Sequence, residues 1–209
     1  MKGNARAWGR HAVIESWRRV AAGCVRPLLL AIEVGLLAIA TLLVLRACAQ
    51  AAERPVEAPA GFVAFCARHP GDCAGQGPAP AFTKLSTERW AELRTVQTDI
   101  NARILWMPDV ATFGESDRWD YPLAWGDCED IALAKRRALV SLGWPAGNLP
   151  LALARLSDGR LHVVLLAITG GGVFVLDNLR PGLARTADYR LLARQSRADP
   201  SAWISLIRP

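Results

Sequence analysis

Apolar positions recur at helical spacing in two stretches of this chain and at strand density in three others. Between Ser86 and Ile104, residues Trp90, Leu93, Ile100 and Ile104 fall on one stripe, with Ser86 placed to cap the helix and Leu85 set against Trp90 as a hydrophobic staple. Pro108 closes this pattern. A second helix is bounded by Asp127 at its N-cap and by Gly143 and Pro145 at its end, and Ile131, Ala134, Ala138 and Leu142 make its expected buried stripe. Three apolar runs follow, Leu149 to Leu156, Leu161 to Ile168 and Val173 to Leu179, separated by Ser157-Asp158-Gly159-Arg160 and Thr169-Gly170-Gly171-Gly172. Turns this short join antiparallel neighbours, so the runs predict a meander and the whole predicts an α+β fold, helices packed on an antiparallel sheet.

Elsewhere the pattern gives way to punctuation. Residues 109 to 123 (DVATFGESDRWDYPL) are polar and aromatic without a period, as expected of a loop that lines a site. Residues 52 to 80, rich in Ala, Pro and Gly, read as a linker and an irregular lead-in. Residues 27 to 45 (PLLLAIEVGLLAIATLLVL) are nearly all apolar and follow Arg18, Arg19 and Arg26. A secretory signal needs about 7 to 15 such residues and a spanning helix roughly 17 to 25, and both send the rest of the chain out of the cytoplasm. A periplasmic domain is expected. Ala49-Gln50-Ala51 offers a small-x-small cleavage pattern; retention as an inner-membrane anchor and lipidation at Cys48 are the other readings, although Arg46 fits the lipidated form poorly. The expected organisation is therefore residues 1–51 for targeting, 52–80 for the linker and lead-in, and 81–209 for one domain, which is what 209 residues can support.

The charge changes this picture only once it is located. Residues 1 to 47 hold seven Lys/Arg and two Asp/Glu, so five of the net +6 sit in the targeting segment and the exported part is left near +1. No basic face remains to favour nucleic acid, and the early arginines read as holding the cytoplasmic side of a membrane. Three cysteines, Cys66, Cys73 and Cys128, belong to the exported part. In an oxidising compartment the close pair in FCARHPGDC predicts a disulfide, with roughly 2 to 3 kcal/mol gained from so short a loop on the chain-entropy model. The rival, with Cys66, His69 and Cys73 as metal ligands, lacks a fourth ligand. Cys128 is left as a free thiol.

That thiol lies in the first turn of the second helix, where the helix dipole and unpaired N–H groups favour the thiolate. Alternation along the middle strand puts His162, Val164, Leu166 and Ile168 on one face. If the glycine turn pairs Ile168 with Val173, His162 stands diagonal to Asp177, about 7 to 8 Å away at the backbone and within side-chain reach. A one-residue slip would part them. Cys128, His162 and Asp177 thus offer the nucleophile, base and orienting acid of acyl-transfer enzymes. Singly, each has an ordinary structural explanation: a small buried thiol, a packed histidine, a strand-ending Asp. Asp127, Glu129 and Asp130 crowd the same turn. Their preference for a helix N-terminus is explanation enough, but they are also hard-cation ligands, and a cation would offset charge that opposes the thiolate.

GDCEDIALAKRRALVSLGWP, LHVVLLAI and VFVLDN together resemble the bacterial transglutaminase-like cysteine proteinases, the LapG-like group of periplasmic adhesin proteases. The resemblance spans roughly residues 60 to 192, including FCARHPGDC, Asn101 and GESDRW. It implies a papain-like or transglutaminase-like core, with Cys128 as nucleophile, His162 as general base and acid, and Asp177 as the orienting carboxylate. It also implies Ca²⁺ dependence, carried over to Asp127, Glu129 and Asp130 as metal ligands, a surface adhesin as protein substrate, and an inner-membrane receptor that controls access. Ile131 stands where members usually carry an aromatic, and the segment from Trp119 to Gly126 is shorter than usual; both lie near the expected substrate entrance. Two alternatives stay open on the residues: amine rather than water resolving the acyl-enzyme, as in a transglutaminase or amidase, and a non-catalytic membrane-anchored binding module.

Overall fold

The glycine turn sets the register on which the fold is built. In the computed structural model, which describes residues 54–75, 77 and 80–207, Ile168 pairs with Val173 and Thr169 with Gly172, so strands β5 (Leu161–Thr169) and β6 (Gly172–Leu176) run antiparallel as the turn length requires. Strand β4 (Leu151–Arg155) pairs on the other side of β5, completing the expected meander. The apolar segment 27–45, and with it the choice between signal, anchor and lipidation, lies outside the described residues. Among the described residues no helix is long and apolar enough to cross a membrane.

Four strands extend the sheet beyond the meander: β1 (Pro55–Val56), β7 (Ala184–Arg185), β8 (Arg190–Gln195) and β9 (Trp203–Ser205). The order is β1-β9-β8-β4-β5-β6-β7, with every pair antiparallel. β1, β7 and β9 have only two or three residues, and β8 carries Arg190, Arg194 and Gln195 among its six, so no apolar run marks them. Helix α3 (Thr87–Arg103) begins where the sequence places it, with the Ser86 hydroxyl accepting from the Arg89 N–H at 3.2 Å. Helix α5 (Cys128–Ser141) packs on β5 and against α3. Leu93, Val96, Leu133, Leu139, Val163, Leu165 and Leu176 form the core between these helices and the sheet, while Val164, Leu166 and Val175 pack on the sheet's opposite face.

Two expectations need correction. The buried face of α5 is broader than the stripe Ile131, Ala134, Ala138 and Leu142: Ile131 is buried as expected, but Leu142 is 47% exposed past the helix end, and Ala132, Leu133, Lys135, Arg136 and Leu139 are buried as well. A helix wedged between a sheet and a second helix is covered on a broad arc, wider than one stripe. Nor is the lead-in irregular. It forms α1 (Ala60–Arg68) and α2 (Pro70–Cys73), and Phe62 and Phe65 enter the main core. The Cys66–Cys73 disulfide joins these helices, so both thiols are consumed and His69 hydrogen-bonds Asp120 at 3.1 Å.

The stretch read as an aperiodic loop contains α4 (Asp109–Thr112) and is tied down at several points. Its Trp119, 1% exposed, sits edge-on to Phe62 and Trp203 and donates to Asp117 at 2.8 Å, while the Asp117 carboxylate also accepts the Gly61 N–H at 2.9 Å. On its two sides, β2 (Leu105–Trp106) and β3 (Trp125–Gly126) pair in parallel and hold both ends beside the start of α5.

Candidate active site

The first residue of α5 is Cys128, because Asp127 has extended backbone at the N-cap. Its sulfur therefore lies at the dipole's positive end. Cys128 is the free cysteine of the described residues and is partly buried. The thiol donates to Glu129 Oε2 at 3.0 Å, and the Val163 backbone N–H approaches Sγ at 3.5 Å. Burial, followed by the Glu129 charge and hydrogen bond and then the Asp127 charge, pushes the thiol pKa far above its ordinary value; only the Val163 N–H acts the other way. In this state the thiol is held protonated, and its hydrogen bond goes to Glu129 rather than to His162.

His162 and Asp177 meet as the register predicts. Their side chains are 4% and 3% exposed, and His162 Nε2 lies 2.7 Å from Asp177 Oδ1. Asp177 follows the last residue of β6, so its carboxylate can also collect donors from the turn beyond. Oδ1 accepts the Leu179 N–H at 2.9 Å and Oδ2 accepts the Tyr189 hydroxyl at 2.7 Å. Burial alone raises the Asp177 pKa, but the bonds from His162, Leu179 and Tyr189 outweigh it and hold the carboxyl below the usual range. Tyr189 is pushed up in turn, first by burial and then by Asp177. Behind the turn, Gln97 and Asn101 on α3 donate to the Asp177 and Arg180 carbonyls, and buried Lys135 on α5 donates to Gln97. Burial pulls Lys135 down to about 7, against the opposing pull of the Asp177 charge.

Cys128 and His162 line one cavity of about 800 Å³, together with Asp127, Glu129, Trp106 and Asn178. Next to it lies a knot of carboxylates. Asp109, Asp127 and Asp130 bring one oxygen each to within 4.8 Å of the others, and Asp127 and Glu129 are grouped as closely with the thiol. Helix capping does not account for this set, since the Asp127 side chain makes no capping bond. Asp130 accepts the Asp120 N–H at 2.7 Å and Asp109 accepts the Arg118 N–H through one oxygen. Asp109 Oδ1 and Asp127 Oδ1 are buried with no hydrogen-bond partner. Burial first and mutual repulsion after it raise the pKa of Asp109 and Asp127, push Glu129 up to about 8 and Asp130 up to about 7. Largely buried, all-oxygen and mutually repelling, with two oxygens left without a partner, these carboxylates suit a hard divalent cation such as Ca²⁺. Gly126 admits them: a Cβ there would lie 2.8 Å from both Asp130 Cβ and Oδ2.

The model of the bacterial transglutaminase-like cysteine proteinases matches residues 52–209. The chain belongs to this family. Solved structures of Legionella pneumophila LapG are similar to it: one at 25% identity with TM-score 0.47, covering 55% of this chain and 68% of that one, and a calcium-bound form at 24% identity with TM-score 0.49, covering 61% and 74%. An EGTA-treated form has 23% identity and TM-score 0.48, covering 61% and 72%. A comparison with curated proteins finds no match.

For a transglutaminase-like cysteine proteinase, sequence reasoning names Cys128, His162 and Asp177, which the fold gathers at one end of the sheet, and Asp127, Glu129 and Asp130, of which Asp127 and Asp130 share a cluster with Asp109. It misses Asp109, Tyr189 and Gln97. Asp109 stands at the head of a segment without a period, and only the return of that segment along β2 and β3 brings it to Asp127. Tyr189 lies in a polar stretch before a strand that no pattern announces. A glutamine in the middle of α3, at the helical spacing of Leu93 and Asn101, is the one signal that a polar group faces inward there.

Proposed function

We propose that the chain is an exported cysteine peptidase in which Cys128 is the nucleophile, His162 the general base and then acid, and Asp177 the carboxylate that orients the imidazole. The observation that carries this reading is the buried 2.7 Å bond between His162 Nε2 and Asp177 Oδ1, beside a free thiol that opens on the same cavity. With Nε2 engaged, Nδ1 is the nitrogen left to take the thiol proton. The thiolate then attacks a peptide carbonyl, the Cys128 backbone N–H donates to the developing oxyanion, and His162 returns its proton to the leaving amine. Water resolves the acyl-enzyme by the same base.

Asp109, Asp127 and Asp130, with Glu129 at their edge, are the residues that would hold Ca²⁺, and a bound cation would offset the negative charge that opposes thiolate formation. The apolar segment 27–45 supports a periplasmic site of action for the domain. The family's proteinase chemistry calls for a protein substrate, and the sequence resemblance supports a large surface adhesin in that role, with an inner-membrane receptor controlling access.

The test is incubation of the full chain, in Ca²⁺, with an outer-membrane protein fraction from its own cells. Release of a truncated surface protein by the wild type, and by neither Cys128→Ala nor His162→Ala, is the expected result. Incorporation of a labelled amine without any cleavage would replace the peptidase reading with acyl transfer to amines, and neither product would leave a binding module.

A further inference from the structure

We infer that Gln97, held in place by Lys135, is a positioning residue for the reaction: it fixes the turn from which Asp177 reaches His162. The inference rests on the reading of His162 and Asp177 as catalytic partners. Gln97 is 0% exposed, and its Nε2 lies 2.7 Å from the Asp177 carbonyl, 2.7 Å from that of Arg180 and 3.3 Å from that of Gly182. These carbonyls belong to a turn that has left the β6 ladder, so the sheet supplies them no donor. Asn101, one helical turn further along α3, adds bonds of 3.1 Å to Asp177 and 3.0 Å to Arg180. Two side chains of one helix thus grip both ends of a four-residue arc that begins at Asp177.

The orientation of the Gln97 amide is fixed from both ends. Carbonyls only accept, so its NH₂ must face the turn; the Lys135 amino group donates to Oε1 at 2.9 Å and, as an ammonium, has no lone pair to accept from the amide reversed. Lys135 is itself 1% exposed, and burying an amino group there costs more than burying an aliphatic side chain of the same length. Whether that nitrogen is an amine or an ammonium, it donates to Oε1. The chain of contacts runs from Lys135 on α5, through Gln97 on α3, to the Asp177 backbone and its carboxylate on His162, so the helix that carries the nucleophile also sets the orienting acid. Small rotations of the Asp177 backbone would move its carboxylate off the imidazole, and geometric errors of that size are felt directly in the proton-transfer step.

The test reads the imidazole proton shared by His162 and Asp177, by low-field proton NMR of the full chain in detergent with Ca²⁺ held constant. Gln97→Met and Gln97→Glu, which keep the volume but lose the donors, are expected to speed exchange of that proton with water about tenfold; Lys135→Met, which frees the amide to turn, is expected to do so about threefold. Retention of the wild-type exchange rate by both Gln97 variants, even with a lowered melting temperature, would overturn the inference and leave Gln97 a packing residue. Asp177→Asn is the control. If it leaves the resonance in place, the His162–Asp177 reading itself fails; if it removes the resonance while the Gln97 variants change nothing, only the inference fails.

Discussion

Two polar clusters meet at the start of α5, and they are built on opposite terms. Around Asp177 the negative charge has a donor for each oxygen: His162 and Leu179 on Oδ1, Tyr189 on Oδ2. Around Asp127 the charges face one another, and two buried oxygens, Asp109 Oδ1 and Asp127 Oδ1, have no donor at all. The first cluster holds its carboxyl below the usual range and the second holds its carboxyls above it. Burial is similar in both, so the sign is decided by partners. The cluster on the strands is complete as the polypeptide folds, whereas the one on the helix and loop has room for a positive charge.

The sharpest way to break this comparison is to remove a partner from the complete cluster. His162→Ala or Asp177→Asn should lower kcat/KM by roughly 10³ to 10⁴-fold, because either change leaves the thiol without a correctly oriented base. A loss below tenfold in both, measured on whichever protein the wild type cleaves, would mean that His162 and Asp177 pack rather than react. The matching change in the incomplete cluster is to withhold the Ca²⁺ proposed to fill it. Chelation should abolish cleavage and lower the melting temperature, and it should do so reversibly.

The state without a cation also has a predicted pH dependence. Glu129, pushed up to about 8 from 4.5, and Asp130, pushed up to about 7 from 3.8, keep protons in the native protein that the unfolded chain has already released. Where the native state binds more protons, stability falls as pH rises. The cation-free protein should therefore lose stability between about pH 4 and pH 7, above which the release of the proton from buried Lys135, its pKa lowered to about 7, works the other way; thermal melts in chelator would show this. Added Ca²⁺ should raise the melting temperature least at pH 5 and most above pH 8, where protons no longer compete for the oxygens. A gain independent of pH would place the cation elsewhere.

How much of each cluster the sequence reveals follows from the same contrast. Cys128, His162 and Asp177 are legible because helix capping and strand alternation are local rules, and the three-glycine turn fixes the Ile168–Val173 register that carries His162 to Asp177. The central meander and both long helices are legible for the same reason. Asp109 is not: it reaches Asp127 only because β2 and β3 pair in parallel across the intervening segment, a contact with no periodic signature. β7, β8 and β9 are hidden likewise: β7 and β9 are two and three residues long, and β8 carries Arg190, Arg194 and Gln195 among its six, so none of them shows an apolar run. The buried face of α5 is misread because Lys135 and Arg136 count as polar by type, yet each finds an acceptor inside, Gln97 for one and the Leu149 carbonyl for the other.

A substitution at Asp109 sharpens the contrast further, because its two effects have opposite signs. Asp109→Asn keeps the shape and removes one of the repelling charges, so in chelator the variant should melt higher than the wild type, by about 2 to 4 °C. In saturating Ca²⁺ the order should reverse, since the variant offers the ion one charge fewer. A variant that melts lower under both conditions would show Asp109 acting only through its bond from the Arg118 N–H.

Tyr189 tests the complete cluster at its weakest point. Its hydroxyl donates to Asp177 Oδ2 at 2.7 Å, opposite the oxygen that holds His162. Tyr189→Phe removes that donor and little else, because the ring's place against Val164, Leu166 and Val175 is kept. One hydrogen bond to a charged group is worth about 1.5 to 3 kcal/mol of stability when its acceptor is left without a partner, as Oδ2 then is, but Oδ1, the oxygen that orients the imidazole, keeps both His162 and Leu179. The expected loss is therefore smaller, about three- to tenfold in kcat with KM unchanged. The direction also follows for acid. Asp177 lies below its ordinary 3.8, so it stabilises the fold above that value and the benefit is lost as pH falls through the lowered value. Without the Tyr189 donor the carboxyl takes up its proton at higher pH, and the variant's acid unfolding midpoint should move upward by a fraction of a unit. Unchanged kcat together with an unchanged acid midpoint would show that His162 and Leu179 alone are enough to hold the orienting charge.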